Sequence, residues 1–333
     1  MNAAAVDAKG IEGGASLKQE PRILVCGEAL MDVFPGATTP DGLSLEARVG
    51  GSPFNVALGL ARMAQPVAFM GCISRDPFGE RLLAALAEEN VDVRAVQRTS
   101  AATTLSIVGV ARHGAPAYAF HGAKGADRQL GPRVLDLIPR SLRALHVGSY
   151  AMVVEPIAAT LRALVDRWHT EIIVAWDPNV RLSVEPNADC WRSQLAWMLP
   201  RTHLLKLSEE DLELLAPGAA HEEFAMQALS CGVRLVVITH GSRGASAWWS
   251  TGHVDVPAKS VVVADSVGAG DAFQAALLSW FAEKDRLTQD GVAFTDSSAA
   301  LAALEFATWA AAITCTRHGA VLPRRDELRE QFG

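Results

Sequence analysis

Asp271 follows Gly268-Ala269-Gly270 and precedes an apolar segment, residues 272–281, that holds no helix breaker. The pattern predicts a helix that opens at the glycines. A helix start carries N–H groups without intrahelical acceptors and the positive end of the macrodipole, so it attracts anions. Glycines let phosphate oxygens approach the backbone closely. A carboxylate there would repel a phosphate as a ligand. As a general base it has a use: it takes a proton from an attacking hydroxyl while the adjacent amides stabilise the transferring phosphoryl group. The plain alternative is that Asp271 only favours the first turn electrostatically. Phe273 stands where a dinucleotide fingerprint needs its third glycine, and no Gly-Lys-Ser/Thr occurs, so both common glycine motifs are weak here.

A second constellation lies near the N-terminus. Gly50-Gly51-Ser52-Pro53-Phe54-Asn55 leads into 56–64, rich in small and apolar residues. Paired glycines with Pro53 near the helix start leave backbone groups exposed above it. Asp32 follows the apolar run 22–27, at the kind of strand end where function gathers.

These residues need a scaffold, and the chain spells one out. Apolar β-rich runs at 22–27, 67–71, 144–148, 172–176, 203–206 and 235–239 alternate with helical patterns such as 80–90 and 156–168. Residues 245–249 read as a further strand, and 261–264, Val-Val-Val-Ala, as a buried strand before Asp265-Ser266. Repeated β then α implies a mostly parallel sheet covered on both faces, with ligands beyond the strand C-termini. Residues 103–111 and 117–120 break the pattern. They form a hairpin around His113-Gly114-Ala115-Pro116, without a crossover helix, and belong to a small separate sheet able to cover a site.

The 333 residues allow one large α/β domain with an appendage or about two average domains. A net charge of −7 argues against non-specific nucleic-acid binding. The five cysteines are scattered without a Cys-x-x-Cys pair, which points to buried free thiols in a reducing compartment. The first twenty residues lack a signal-peptide core and an arginine-rich presequence and read as a disordered leader. No run of about eighteen unbroken apolar residues is present, so no membrane span and a cytoplasmic protein are expected.

Gly50-Gly51-Ser52-Pro53-Phe54-Asn55-Val56-Ala57 resembles the N-terminal signature of the PfkB, or ribokinase-like, carbohydrate kinases, and 265–273, Asp-Ser-Val-Gly-Ala-Gly-Asp-Ala-Phe, resembles the C-terminal one. Within that family Gly27-Glu28-Ala29-Leu30-Met31-Asp32, Ala126-Asp127, Asp177-Pro178-Asn179-Val180-Arg181, Lys206-Leu207-Ser208-Glu209-Glu210 and Thr316-Arg317-His318-Gly319-Ala320 look fructokinase-like. The resemblance implies a three-layer α/β sandwich with a mostly parallel central sheet. A small β-sheet lid around 31–50 and 100–125 would belong to one kinase domain over 21–333. It makes Asp271 the base and Gly268, Ala269 and Gly270 the anion hole. Asp32, Gly50, Gly51 and Asn55 become sugar-binding, with Phe120 and Arg181 on the lid side. Lys206, Ser208, Thr239, Gly241 and Gly244, with Gly268 and Gly270, are expected beside ATP. Glu210 and Asp211 are expected near magnesium, although Asp211 replaces the family's usual glutamate, and Ser208 capping a helix is at least as good an account. Asp265 is expected near a monovalent cation such as K⁺.

The expected activity is ATP- and Mg²⁺-dependent phosphorylation of D-fructose to fructose 6-phosphate. The rivals are a kinase for 2-keto-3-deoxygluconate, ribose or a nucleoside, or a non-catalytic sugar or nucleotide sensor. The partners expected are a small sugar and a second copy paired through the lid.

Overall fold

Ile23 and Val25 pack into one apolar core, and their neighbours Leu24 and Cys26 into a second. Successive strand side chains point to opposite faces, so a strand apolar on both faces must be a wall between two helical layers. The structure, a computed structural model, describes residues 20–110, 116–294 and 296–332; the expected leader, apart from Glu20, and the hairpin tip with His113 lie outside the described residues.

The chain opens with β1 (Ile23–Cys26), β2 (Leu30–Thr39), β3 (Gly42–Gly50), α1 (Ser52–Arg62), β4 (Val67–Ser74), α2 (Pro77–Glu88) and β5 (Val96–Thr99). The strands β6 (Leu105–Val110) and β7 (Pro116–His121) follow, then β8 (Ala144–Gly148), α3 (Ile157–Trp168), β9 (Ile173–Asp177) and α4 (Ala188–Met198). Next come β10 (Leu204–Ser208), α5 (Glu209–Leu215), α6 (His221–Ser230), β11 (Leu235–Thr239), β12 (Ala245–Trp249) and β13 (Gly252–Val256). Three helices close the chain: α7 (Ala269–Glu283), α8 (Ser297–Cys315) and α9 (Arg325–Phe332).

Nine strands form the central sheet in the order β13-β12-β11-β10-β9-β8-β1-β4-β5. It is parallel except for β12 and β13, which fold back antiparallel at one edge. Residues of α1, α2, α7 and α8 fill the core on one face, those of α3, α4 and α6 the core on the other. This is the three-layer ribokinase-like sandwich. The expected hairpin is β6 with β7, but it is not isolated: the smaller sheet has four strands, β3-β2-β6-β7.

Helix α7 is buried along nearly its whole length, from Asp271 to Ala282. An apolar helix of this kind sits inside a protein, not on its surface, and here it lies between α1 and α8. Helix α8 is also long and apolar enough, by length and composition, to cross a membrane. Its Ala300, Ala303, Leu304, Ala307 and Ala310 are buried in the same core as α7, as in the core helix of a globular domain.

Two sequence expectations change. Residues 261–264 join no strand, with a bend at Ala264, and Val262 and Val263 are 90% and 62% exposed. Their β-branched side chains favour extended backbone, yet the segment docks through Ala264 and Asp265, whose N–H groups bond to the Cys315 carbonyl at the end of α8. Of the cysteines, Cys26 and Cys72 are buried free thiols, whereas Cys190 and Cys231 are exposed. Asn55 is the fourth residue of α1, whose cap is Gly51.

Candidate active site

Helices α1 and α7 approach each other at Gly59. A Cβ on Gly59 would come within 2.8 Å of the Ala275 Cβ and 2.5 Å of a Leu322 methyl. One turn earlier on each helix stand Asn55 and Asp271. The close approach brings them together: Asn55 Nδ2 donates to Asp271 Oδ2 at 2.8 Å, and Ser52 Oγ donates to Asp271 Oδ1 at 2.7 Å. Burial pushes the Asp271 carboxyl above the usual carboxylate range, against the opposing pull of Asn55, Ser52 and Lys206. Both oxygens are therefore aimed, and the group is more basic than a surface aspartate.

The turn before α7 has the form of an anion site. Gly268 is left-handed at φ 80°, no side chain caps the helix, and a Cβ at Gly268 would strike Ala320 at 2.6 Å. The first amides of α7 thus have no side-chain acceptor, the Ala269 N–H making only a long 3.3 Å bond to the Ser266 carbonyl. Near them lies Lys206, buried in the middle of β10, its Nζ 2.7 Å from Asp177 Oδ2. Burial opposes the charge on Lys206, but Asp177, with Asp211 and Asp271 beyond it, holds its pKa up. The Nζ comes within 3.1 Å of where a Gly270 Cβ would stand. A fixed cation behind the glycine turn adds to the field that favours phosphate there.

Asp271, Gly268, Asn55, Gly51, Asp32, Phe120 and Arg181 line one cleft. Asp32 lies within β2, buried, and is no turn residue. Burial pushes its pKa up to about 7; the Asp271 carboxylate adds to this and Arg181 opposes it. Gly51 is a geometric necessity, and Gly50 leaves room for the Asp32 side chain. A Cβ at Gly50 would fall 2.1 Å from Asp32 Oδ2; at Gly51, where φ is +104°, one would fall 2.7 Å from the Glu28 carbonyl oxygen. Phe120 meets the Tyr150 ring edge to face at 5.7 Å, and Arg181 lies over the Tyr118 ring at 5.5 Å. Arg181 is thus fixed in the cleft, not waving in solvent.

The residues expected beside ATP line the strand ends next door. Ser208 and Thr239 are registered partners at the ends of β10 and β11. The turn after Thr239 uses positive φ at Gly241 and Gly244, and a Cβ at Gly244 would meet the Val256 carbonyl oxygen at 2.0 Å. Asp211 is buried in a capping box: Oδ2 accepts from Ser208 N and Oγ at 3.1 and 2.7 Å, and Oδ1 from Val180 N at 2.7 Å. The cap account thus describes what Asp211 does, while Glu210 beside it is exposed. Asp265 ties two segments together, accepting from Val267 N at 3.0 Å and Gly319 N at 2.8 Å.

Comparison with known proteins now bears on this arrangement. Residues 20–327 match the pfkB family carbohydrate kinase. The chain belongs to the PfkB family of carbohydrate kinases. A fructokinase of Rhizobium leguminosarum bv. trifolii is 34% identical over 277 residues, which is 83% of this chain and 85% of that protein. The crystal structure of a Xylella fastidiosa fructokinase with bound ATP superposes with a TM-score of 0.82 at 28% identity, covering 94% of this chain and 99% of that one. A Vibrio cholerae O395 fructokinase, in its fructose-, ADP- and calcium-bound form, gives 0.79 at 26% identity over 93% and 98%.

Two polar groups of this kinase's cleft were given no role by the sequence. Ser52 donates to Asp271, and Glu28 lines the cleft. Both sit inside the quoted motifs, so their positions were visible although their contacts were not.

Proposed function

We propose that this PfkB kinase is a fructokinase that transfers the γ-phosphoryl group of ATP to the 6-hydroxyl of D-fructose. The observation that carries the proposal is the buried Asp271 carboxylate, fixed by Ser52 and Asn55 at the uncapped start of α7 and open to a cleft that holds Asp32. The fructokinase relatives support the sugar.

Asp271 takes the proton of the sugar hydroxyl as its oxygen bonds to the γ-phosphorus and the bond to the ADP oxygen breaks. The amides of Gly268, Ala269 and Gly270 stabilise the charge on the transferring group, with Lys206 behind them. Asp32 and the backbone at Gly50 and Gly51 orient the hydroxyls, Asn55 orients the base, and ATP lies along Ser208, Thr239, Gly241 and Gly244. The four-stranded sheet acts as a lid: Phe120 excludes water and so limits ATP hydrolysis. Magnesium supplies charge neutralisation across the phosphates when bound. Exposed Glu210 fits a contact through water, whereas the three donors on Asp211 leave that residue to its helix. Asp265, bridging the anion-hole turn to Gly319, is the residue toward which potassium would order this junction; equal rates in potassium and tetramethylammonium at one ionic strength would remove that role.

A dimer through the lid rests on β3, an edge strand whose Leu43 and Leu45 are 51% and 58% exposed. Light scattering of wild type and of Leu45→Glu tests it: a monomeric wild type ends the idea. The sensor alternative has no use for a carboxylate held as Asp271 is.

The deciding experiment is a coupled ADP assay with fructose, ribose, 2-keto-3-deoxygluconate and adenosine under equal ATP and magnesium. Fructose is expected to lead in kcat/KM by tenfold or more. A tenfold lead for another of the four ends the fructose assignment and leaves the kinase.

A further inference from the structure

Glu28 follows the glycine at the end of β1 and is 1% exposed, yet its side chain lines the same cleft as Asp32, Asn55 and Asp271. Its Oε2 atom is buried without a hydrogen-bond partner. Native interiors keep few such atoms, and one that borders a ligand cleft is completed by what enters the cleft. Besides the Ser149 side chain and its own backbone, the surroundings offer Glu28 little. Behind it Asp127 is wholly buried and takes hydrogen bonds from Thr104 Oγ1 and, at 2.9 Å, from the Tyr150 hydroxyl. Arg128 is turned to Asp127, 3.9 Å away.

We propose that the Glu28 side chain hydrogen-bonds a hydroxyl of the sugar and is a determinant of substrate choice, selecting a neutral polyol over a sugar acid. The inference rests on the sugar-kinase reading and deepens it. The groups in the cleft support the choice: Glu28, Asp32 and Asp271 line it, and Arg181 is the one cation lining it among the described residues. A substrate carboxylate would meet the Asp271 carboxylate and a partly ionised Asp32, and would have no hydroxyl proton to give Glu28. Burial pushes Glu28 up to about 8, with Asp127 adding to the shift and Ser149 and Arg181 opposing it. At neutral pH it therefore carries a proton and offers a hydroxyl oxygen an O–H donor, as well as an acceptor for a hydroxyl proton.

The test crosses enzyme variants with substrate variants. The parent substrate is whichever neutral sugar the wild-type enzyme turns over best, and the analogues are its monodeoxy derivatives. Glu28→Ala should lower kcat/KM for the parent about 10²-fold, mainly through the sugar KM, with the ATP KM unchanged within twofold. Glu28→Gln keeps a donor and an acceptor in the same shape and should stay within about fivefold of wild type. For one deoxy analogue the Ala variant and wild type should be nearly equal, because the bond is already absent. The proposal is overturned if both enzymes discriminate alike against every deoxy analogue, if sugar and ATP KM rise together, or if wild type prefers a sugar acid. A parent sugar other than fructose sinks the fructose assignment and leaves the Glu28 test intact.

Discussion

Asn55 on α1 donates to Asp271 on α7 across 2.8 Å, although 216 residues separate them in the chain. The bond needs both helix starts to meet, and Gly59 against Ala275 is what lets them. Two consequences for catalysis follow from this pair.

Asp271→Asn keeps the shape of the site and removes the proton acceptor. Turnover should fall roughly 10²-fold or more while the ATP KM moves only a few-fold, since proton removal and not affinity is lost. Steady-state kinetics with both substrates varied would decide; turnover within a few-fold of wild type ends the role of Asp271 as base.

Ser52→Ala removes one of two donors that stabilise the ionised form of Asp271. The carboxyl pKa must then rise further. In a profile of kcat/KM against pH the acid limb should move to higher pH, with turnover down severalfold at neutral pH. A limb that moves down or stays would show that Asp271 does not govern it.

Much of this site was legible because backbone geometry demands particular residues. Gly268 must be left-handed to open α7, Gly50 must leave room for Asp32, and Ser208 must cap α5; each requirement leaves a mark in the sequence. The alternation of Ile23 and Val25 with Leu24 and Cys26 likewise announces a sheet buried on both faces. What stayed hidden depends on the third dimension. Val262 and Val263 have the composition of a buried strand, but they pair with no strand among the described residues. Glu28 looks like any charged residue after a strand until Asp127 and Tyr150 close in behind it.

Gly50→Ala tests the sugar side without touching the base. The new methyl would overlap Asp32 Oδ2 and push that side chain from its place. The sugar KM should rise tenfold or more, and the ATP KM should stay within twofold. Equal increases in both would mean that the change disturbs the fold and not the sugar site.

The four-stranded sheet should move with substrate. Amide exchange along β6 and β7 should slow on adding saturating sugar, because closure over the cleft protects an edge that opens easily when empty. Mass spectrometry of peptides spanning 105–110 and 116–121 would report it. Exchange unaltered by sugar would leave the sheet without a closing role.

Two buried carboxyl groups make the empty enzyme sensitive to alkali. Burial raises Glu28 from 4.5 to about 8 and Asp32 from 3.8 to about 7. The folded state thus keeps protons that the unfolded chain has released, so this contribution to stability is full below pH 4 and is lost as pH rises through 7 and 8. The slope reaches at most about 1.4 kcal/mol per pH unit for each group. Burial lowers His146 to about 3 and His203 to about 4, and these histidines act in the opposite sense below pH 6.5, so the clean window lies between pH 7 and 9. There the melting temperature should fall, by roughly 2–4 °C for each kcal/mol lost. Glu28→Gln cannot ionise, so it should flatten the fall and melt above wild type at pH 7, where the unfolded wild-type chain has already released the Glu28 proton. Parallel curves for the two proteins would show that Glu28 is ionised throughout, and a sugar hydroxyl would then meet an acceptor there and no donor.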